Sequence, residues 1–395
     1  MTAELGILNK NGIVLATDSA TTIGNNKVYN TAKKLFTLDS NHFVGIMIYG
    51  NAEFMEVPWE IIISQFRKQL GNEILPKLDD YSEEFLKFLQ TQSYLKKEEL
   101  QTNYVIAFAQ SVIQAVFQNI EDDINFLISQ GQDVDNSLLI KLLTKQIKSI
   151  KGQFSEQYIV ELDETEFLEN YRDSFNRILR SISVYEDVSK GISEELFNLI
   201  YYTIIRDNTF LSSTGIVFAG YGREEVFPCI ESFKLYSFIM EEFKYSKDEK
   251  AQVGNGNRDL RSTIIPFAQD DVVHTVVQGL DPMLSEYLAS KVEEFDENSR
   301  SVYTEIIDEL SKIQRQRFID PMLNMISLLP VDETSVIAET LLNLTSFKRK
   351  YSTSVETVGG PIDVLSITPN EGPVWIRRKQ YFNLEENLGY KLRRQ

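Results

Sequence analysis

The sequence predicts an α+β protein, with strands at both ends and in the middle of the chain and long helical stretches between them. Three observations point there. Residues 2–50 hold short apolar runs separated by turn residues. From Phe54 to about Asn208, apolar residues recur at three- and four-residue intervals. Strand-like runs return at residues 214–222, 226–236 and 356–367.

Taken in order, Leu5-Gly6-Ile7-Leu8 and Ile13-Val14-Leu15-Ala16 flank Asn9-Lys10-Asn11-Gly12, and Asn-Gly between apolar runs signals a hairpin. A three-residue loop, Lys10-Asn11-Gly12, pairs Asn9 with Ile13, sets Glu4 opposite Asp18 and makes Thr2 a diagonal neighbour on the same face. A two-residue loop puts Asp18 on the opposite face. Residues 27–30 and 34–38 read as short strands, 39–41 as a turn and 43–49 as a buried strand. The helical stretch begins at Pro58-Trp59 and continues through residues 81–95, 104–128, 138–150 and 167–182. Its last helix covers 194–205, with Ser193 as N-cap. After the paired strands around 214–236, residues 244–262 are polar and read as a mobile loop. Residues 272–277 read as a strand, 280–292 and 303–328 as helices, and 330–348 as a helix opened by Pro330. Val374-Trp375-Ile376-Arg377 pairs behind the strand at 356–367.

Composition removes several function classes. A net charge of −18 argues against nucleic acid and against a basic membrane-surface protein. The lone Cys229 excludes an internal disulfide or a multi-cysteine zinc site, and His42 and His274 leave little for a histidine metal centre. No Gly-x-Ser-x-Gly elbow appears, so both histidines read as structural. The acidic clusters around 121–123 and 161–164 read as solvated helix faces, and Gly220-Tyr221-Gly222 lacks the context of a phosphate loop. With no apolar run long enough to span a bilayer and no secretory signal, the expectation is a soluble, cytoplasmic protein.

Thr2 is the residue that the chemistry singles out. Methionine removal before a small residue would leave Thr2 with a hydroxyl and a free α-amine, a nucleophile carrying its own base. That amine has an ordinary pKa of about 7.7–8.0. A nearby ammonium lowers it further, because like charges disfavour the protonated form. Lys34 is the candidate for that charge and Asp18 for the anion that holds it.

Thr2-Ala3-Glu4-Leu5-Gly6, Gly12 to Ser19, Lys33-Lys34-Leu35-Phe36-Thr37-Leu38 and Gly45 to Glu53 together resemble a proteasome β-type subunit. They read as a divergent, prokaryotic-looking member with an enlarged helical region. That family consists of N-terminal-nucleophile hydrolases with a Thr–Asp–Lys set. It places Asp sixteen and Lys thirty-two residues after the threonine, as Asp18 and Lys34 stand here. The resemblance implies a four-layer αββα sandwich of two stacked antiparallel sheets. It implies one such domain over residues 1–395, a helical insertion at 56–208 and a tail at 380–395. It implies a threonine endopeptidase with Thr2, Asp18 and Lys34 catalytic and an oxyanion hole near Tyr49 and Gly50. No metal or organic cofactor is called for. Partners would be peptide or unfolded protein, further copies of the chain in a homo-oligomeric ring, and an ATP-dependent unfoldase.

Departures stand beside these matches. Tyr49 replaces the first glycine of the family's Gly-Gly-Ala-Ala-Asp. Val355 and Val358 replace the Asp and Ser that support the amine, leaving Glu356, Thr357 and Gln278 as substitutes. These departures keep two alternatives open: an inactive scaffold or binding subunit, and a small-molecule amide hydrolase.

Overall fold

The computed structural model describes residues 3–23, 27–39, 41–132, 134–154, 156–181, 186–211, 213–254, 261–294, 296–352, 358–383, 385–387 and 389. The chain opens with the β1 (Ala3–Asn9) and β2 (Gly12–Thr17) hairpin. A small ladder of β3 (Thr21–Ile23) and β4 (Lys27–Tyr29) precedes the hairpin of β5 (Leu35–Asp39) and β6 (His42–Tyr49). A second small ladder, β7 (Glu53–Phe54) and β8 (Val57–Pro58), leads into the helices. These are α1 (Trp59–Leu70), α2 (Leu78–Thr91), α3 (Glu98–Ser129), α4 (Asn136–Lys151), α5 (Glu164–Ser181) and α6 (Glu186–Ile204). Four strands follow: β9 (Thr214–Gly220), β10 (Cys229–Ile239), β11 (Glu242–Gln252) and β12 (Ser262–Ala268). Then come α7 (Asp271–Gln278), α8 (Pro282–Ser290), α9 (Glu297–Gln314), α10 (Asp320–Ile326) and α11 (Val331–Lys350), and finally β13 (Asp363–Thr368) and β14 (Gly372–Arg377).

Two five-stranded antiparallel sheets stack face to face. One has the order β12-β1-β2-β13-β14 and the other β11-β10-β9-β6-β5. Strand alternation explains how each sheet serves two cores. In β1 and β2, Leu8, Ile13 and Leu15 point inward against Met47, Val217 and Ile230 of the second sheet. Ala3, Leu5, Ile7, Val14 and Ala16 point outward, against Val273 of α7, Ile326 of α10 and Leu341 and Leu342 of α11. The second sheet packs its outer face on α1 and α2 through Ile46, Phe218, Phe66 and Phe85. Helices α3 to α6 close largely on themselves, around Phe108, Leu143, Phe175 and Phe197, with Ile239 of β10 joining them.

The termini of these elements follow local chemistry. Asp135, Asp281 and Asp296 each accept a backbone N–H at the start of α4, α8 and α9. Acidic Asp332 and Glu333 open α11 and Lys348, Arg349 and Lys350 close it, both signs favouring its dipole.

Four expectations are corrected. Much of the polar stretch 244–262 is strand, since β11 runs to Gln252, and β12 begins at Ser262. The residues read as a strand at 272–277 are helical in α7, which ends on Gly279 in the left-handed conformation, φ 72°. Packing of Val272 and Val273 overrides the strand preference of β-branched side chains. Ser193 lies inside α6, which already begins at Glu186. The first hairpin has a two-residue loop, with Asn9 paired to Gly12 and Glu4 to Thr17.

Candidate active site

The start of β1, the end of β2, the start of β5 and the end of β6 meet at one end of the sandwich. Asp18 directly follows β2, and Lys34 directly precedes β5. Lys34 Nζ donates to Asp18 Oδ1 at 2.6 Å, and this ion pair joins the two sheets. Both residues are buried, Asp18 at 1% and Lys34 at 5% exposure. Ile48 donates its N–H to the Lys34 carbonyl at 2.9 Å, which brings Tyr49 and Gly50 to the same end.

Asp18 is held by more than the lysine. Oδ1 also accepts the N–H of Ala3 at 3.2 Å, and Oδ2 accepts those of Ala20 at 3.2 Å and Gly359 at 3.0 Å. An ionised carboxylate only accepts, so these four donors match its capacity. Asp18 in turn donates its N–H to the Ala3 carbonyl at 3.1 Å. The two-residue loop therefore does not send the carboxyl away from Lys34. Asp18 lies past the last residue of β2, where strand alternation no longer dictates side-chain direction. Thr2 and Met1 lie outside the described residues. Ala3, the covalent neighbour of Thr2, is fixed at both its backbone N–H and C=O by Asp18.

Among the residues meant to replace the amine's polar support, Glu356 and Thr357 lie outside the described residues, as does Val355. Gln278 is engaged elsewhere, with its side chain on His274 Nδ1 at 3.0 Å. Val358 is fully buried in the apolar core beside Ala3. Among the described residues of this segment, Gly359 donates its N–H to Asp18 and its carbonyl accepts the N–H of Ser19 at 3.1 Å.

Tyr49 does not turn its ring into open space. The ring stacks on Phe267, with centroids 5.8 Å apart, and lies over Gly215, where an added Cβ would sit 1.8 Å from it. Burial raises the pKa of its hydroxyl above the ordinary value. Gly50 has φ +89°, and a Cβ there would meet the Ser213 carbonyl at 2.7 Å, so glycine is required at this turn.

The sequence reading assigned no role to Glu4. It is 1% exposed on the inward face of β1, and Thr17 Oγ1 donates to its Oε1 at 3.2 Å. Its Oε2 is buried with no hydrogen-bond partner among the described residues. Burial raises its pKa well above the usual carboxylate value; Lys34 opposes that shift and Asp18 adds to it. The signal for it was a lone carboxyl inside an apolar strand. Asp363 and Lys379 were missed too. They form a buried ion pair beside Thr17, to which Asp363 is paired across β13 and β2.

His42 and Cys229 take structural roles. His42 bridges Tyr81 Oη and the Gly71 carbonyl, both at 3.0 Å. The Cys229 thiol is buried and pushed up to about 12 by that burial, which leaves it unreactive.

No family model matches the chain, and no curated protein matches it. Solved structures that it is similar to include Anbu, the ancestral beta-subunit, from Yersinia bercovieri, at 10% identity and TM-score 0.33 over 99% of this chain and 94% of that one. The helical assembly of the Anbu complex from Pseudomonas aeruginosa matches at 10% identity and TM-score 0.31, over 99% and 92%. An Anbu Gly-1 mutant from Hyphomicrobium sp. strain MC1 matches at 11% identity and TM-score 0.29, over 100% and 95%. Membership of the proteasome β-type subunit family, expected from the first fifty residues, is corrected by these findings. No family model supports it, and the structural similarity is to Anbu at a level too low to carry membership.

Proposed function

We propose that this chain is a threonine-type endopeptidase that uses Thr2, exposed by removal of Met1, as its nucleophile. The observation that supports the reading is the buried Lys34–Asp18 pair at 2.6 Å, clamped to the strand that begins one residue after Thr2.

In this reading the Thr2 amine takes the hydroxyl proton as Oγ attacks the peptide carbonyl. The oxyanion of the tetrahedral intermediate accepts a backbone N–H at Tyr49–Gly50. Collapse breaks the C–N bond, the amine's proton goes to the departing nitrogen, and an ester to Thr2 remains. Water, deprotonated by the same amine, hydrolyses that ester and frees the hydroxyl. The Lys34 ammonium disfavours protonation of the amine and so keeps it uncharged, with its lone pair free to take the hydroxyl proton. Asp18 holds Lys34 in position and neutralises its cost of burial.

The test is the intact mass of purified protein with and without a threonine-directed β-lactone. The expected result is loss of Met1 and one adduct that is absent in Thr2→Ala, followed by cleavage of peptide substrates. Retained Met1 without an adduct, in cells with active methionine aminopeptidase, overturns the reading.

A further inference from the structure

Behind the Lys34–Asp18 pair lies a cavity of about 370 Å³, bounded by α1, β5 and the chain that follows β14. Lys34 is not among its lining residues, whereas its neighbours Lys33 and Leu35 are. Three features distinguish the cavity from an ordinary surface crevice.

The first is charge. The chain carries −18 overall, yet four cationic side chains line this cavity, Lys33, Arg67, Arg378 and Lys379, against the two carboxylates Glu60 and Asp363. Lys33 pairs with Glu60 at 2.6 Å, Lys379 pairs with Asp363 and Arg67 donates to the Thr37 carbonyl, so Arg378 is the cation on which an anion would be held. The second is aromatic surface. Arg378 stacks on Trp375, 4.6 Å from guanidinium carbon to ring centroid, and Lys33 lies 5.2 Å from the Tyr381 centroid. Stacking fixes the plane of a guanidinium and leaves its N–H edge for a two-pronged contact with an oxyanion. The third is size, which falls in the range that encloses a small organic ligand.

We propose that this cavity binds a small planar organic carboxylate, its charge on Arg378 and its ring against Trp375 and Tyr381. The cavity's inner end is electrically linked to the candidate active site. Lys379, at that end, is close enough to Lys34 and Asp18 for the charges to act on one another. Its partner Asp363 is ladder-paired with Thr17, the residue before Asp18. An anion held here offsets positive charge around Lys34, and in an active enzyme that raises the pKa of the Thr2 amine. The cavity is thus an effector site, and only this last consequence rests on the proposed function.

Trp375 makes binding directly readable, because the other tryptophan, Trp59, is 2% exposed in a separate core. The experiment titrates Thr2→Ala protein with benzoate at constant ionic strength and follows tryptophan fluorescence, with benzamide and inorganic phosphate as comparison probes. Using Thr2→Ala separates this test from the fate of the peptidase reading. The expected result is a saturable change with benzoate. It is weakened at least about tenfold for benzamide and in Arg378→Ala, weakened less in Arg378→Lys, which keeps the charge without the two-pronged edge, and the fluorescence signal is lost in Trp375→Phe. Equal response to benzamide, no saturable response to benzoate, or unchanged affinity in Arg378→Ala overturns the proposal. A saturable response to phosphate with none to benzoate overturns the planar-carboxylate assignment.

Discussion

Asp18 accepts four hydrogen bonds and Glu4 accepts one, although both carboxyls are buried at the same end of β1. The difference sets their chemistry. Burial drives a carboxyl with few donors, such as Glu4, toward its neutral form. Glu4 has its pKa raised on folding, so the folded state holds this proton more tightly than the unfolded chain. Its contribution to stability is fully present below the ordinary carboxylate pKa and is lost as pH rises through the folded value. Glu4→Gln is therefore expected to match wild type in acid and to exceed its stability at higher pH, as read from urea midpoints across a pH series.

Lys244 behaves in the opposite sense. It is 0% exposed on β11, its Nζ has no hydrogen-bond partner among the described residues, and it lies 4.6 Å from the Tyr236 ring centroid and 5.2 Å from that of Phe108. Burial lowers its pKa to about 7, opposed by Asp207. Between about 7 and its unfolded value the unfolded chain binds more protons, so stability rises with pH through that window and the cost is complete below it. Lys244→Met is expected to stabilise by about 1–4 kcal/mol at neutral pH, a gain that shrinks as pH approaches the unfolded lysine value. Equal midpoints for variant and wild type at pH 7 would count against this account.

At the scale of elements, the end of β6 depends on one close fit. The Tyr49 ring occupies the space above Gly215 on β9, directly across the ladder. Gly215→Ala is expected to destabilise by about 1–3 kcal/mol through overpacking. Combining it with Tyr49→Ala should recover part of that loss, which a double-mutant cycle on thermal unfolding measures. The first hairpin shows how much of an element was legible in advance. Asn9-Lys10-Asn11-Gly12 announced a turn, but its loop length was not encoded in the residue types alone. Asn9 resolves it: its Oδ1 accepts from Asn11 N–H at 2.8 Å and Gly12 N–H at 3.2 Å, and its Nδ2 donates to the carbonyls of Ile326 and Leu329. Half of that set comes from more than three hundred residues away. The β10–β11 hairpin was missed for a different reason. Its two-residue loop is Met240-Glu241, with φ of 50° and 69°. Neither is a residue that ordinarily marks a turn with positive φ.

At the scale of the molecule, α8, α9 and the turn after α10 expose several apolar side chains. Met283 and Tyr287 on α8 are 77% and 59% exposed, Val302 and Ile306 on α9 are 59% and 55%, and Leu328 after α10 is 77%. A solvent-facing apolar surface of this kind favours association. The expected outcome is a concentration-dependent oligomer in sedimentation velocity, shifted toward monomer by Ile306→Glu. A single monomeric species for wild type across the micromolar range would sink that expectation. No helix among the described residues is long and apolar enough to cross a membrane, so such a span does not account for this surface.

The sequence by itself determined the strand and helix character of most segments, because period-two and period-3.6 burial is a local property of the chain. It also determined the spacing that singles out Asp18 and Lys34. Tertiary structure alone decided what depends on distant neighbours. It made α7 a helix despite its valines, by packing Val273 in the core beside α11 and tying Asp271 to Lys348 and Arg349. It brought the N–H of Gly359, 341 residues away, to Asp18. It left Glu4 with a buried oxygen that has no partner among the described residues. Each of these turns on which groups share a space shielded from water, and chain order does not record that.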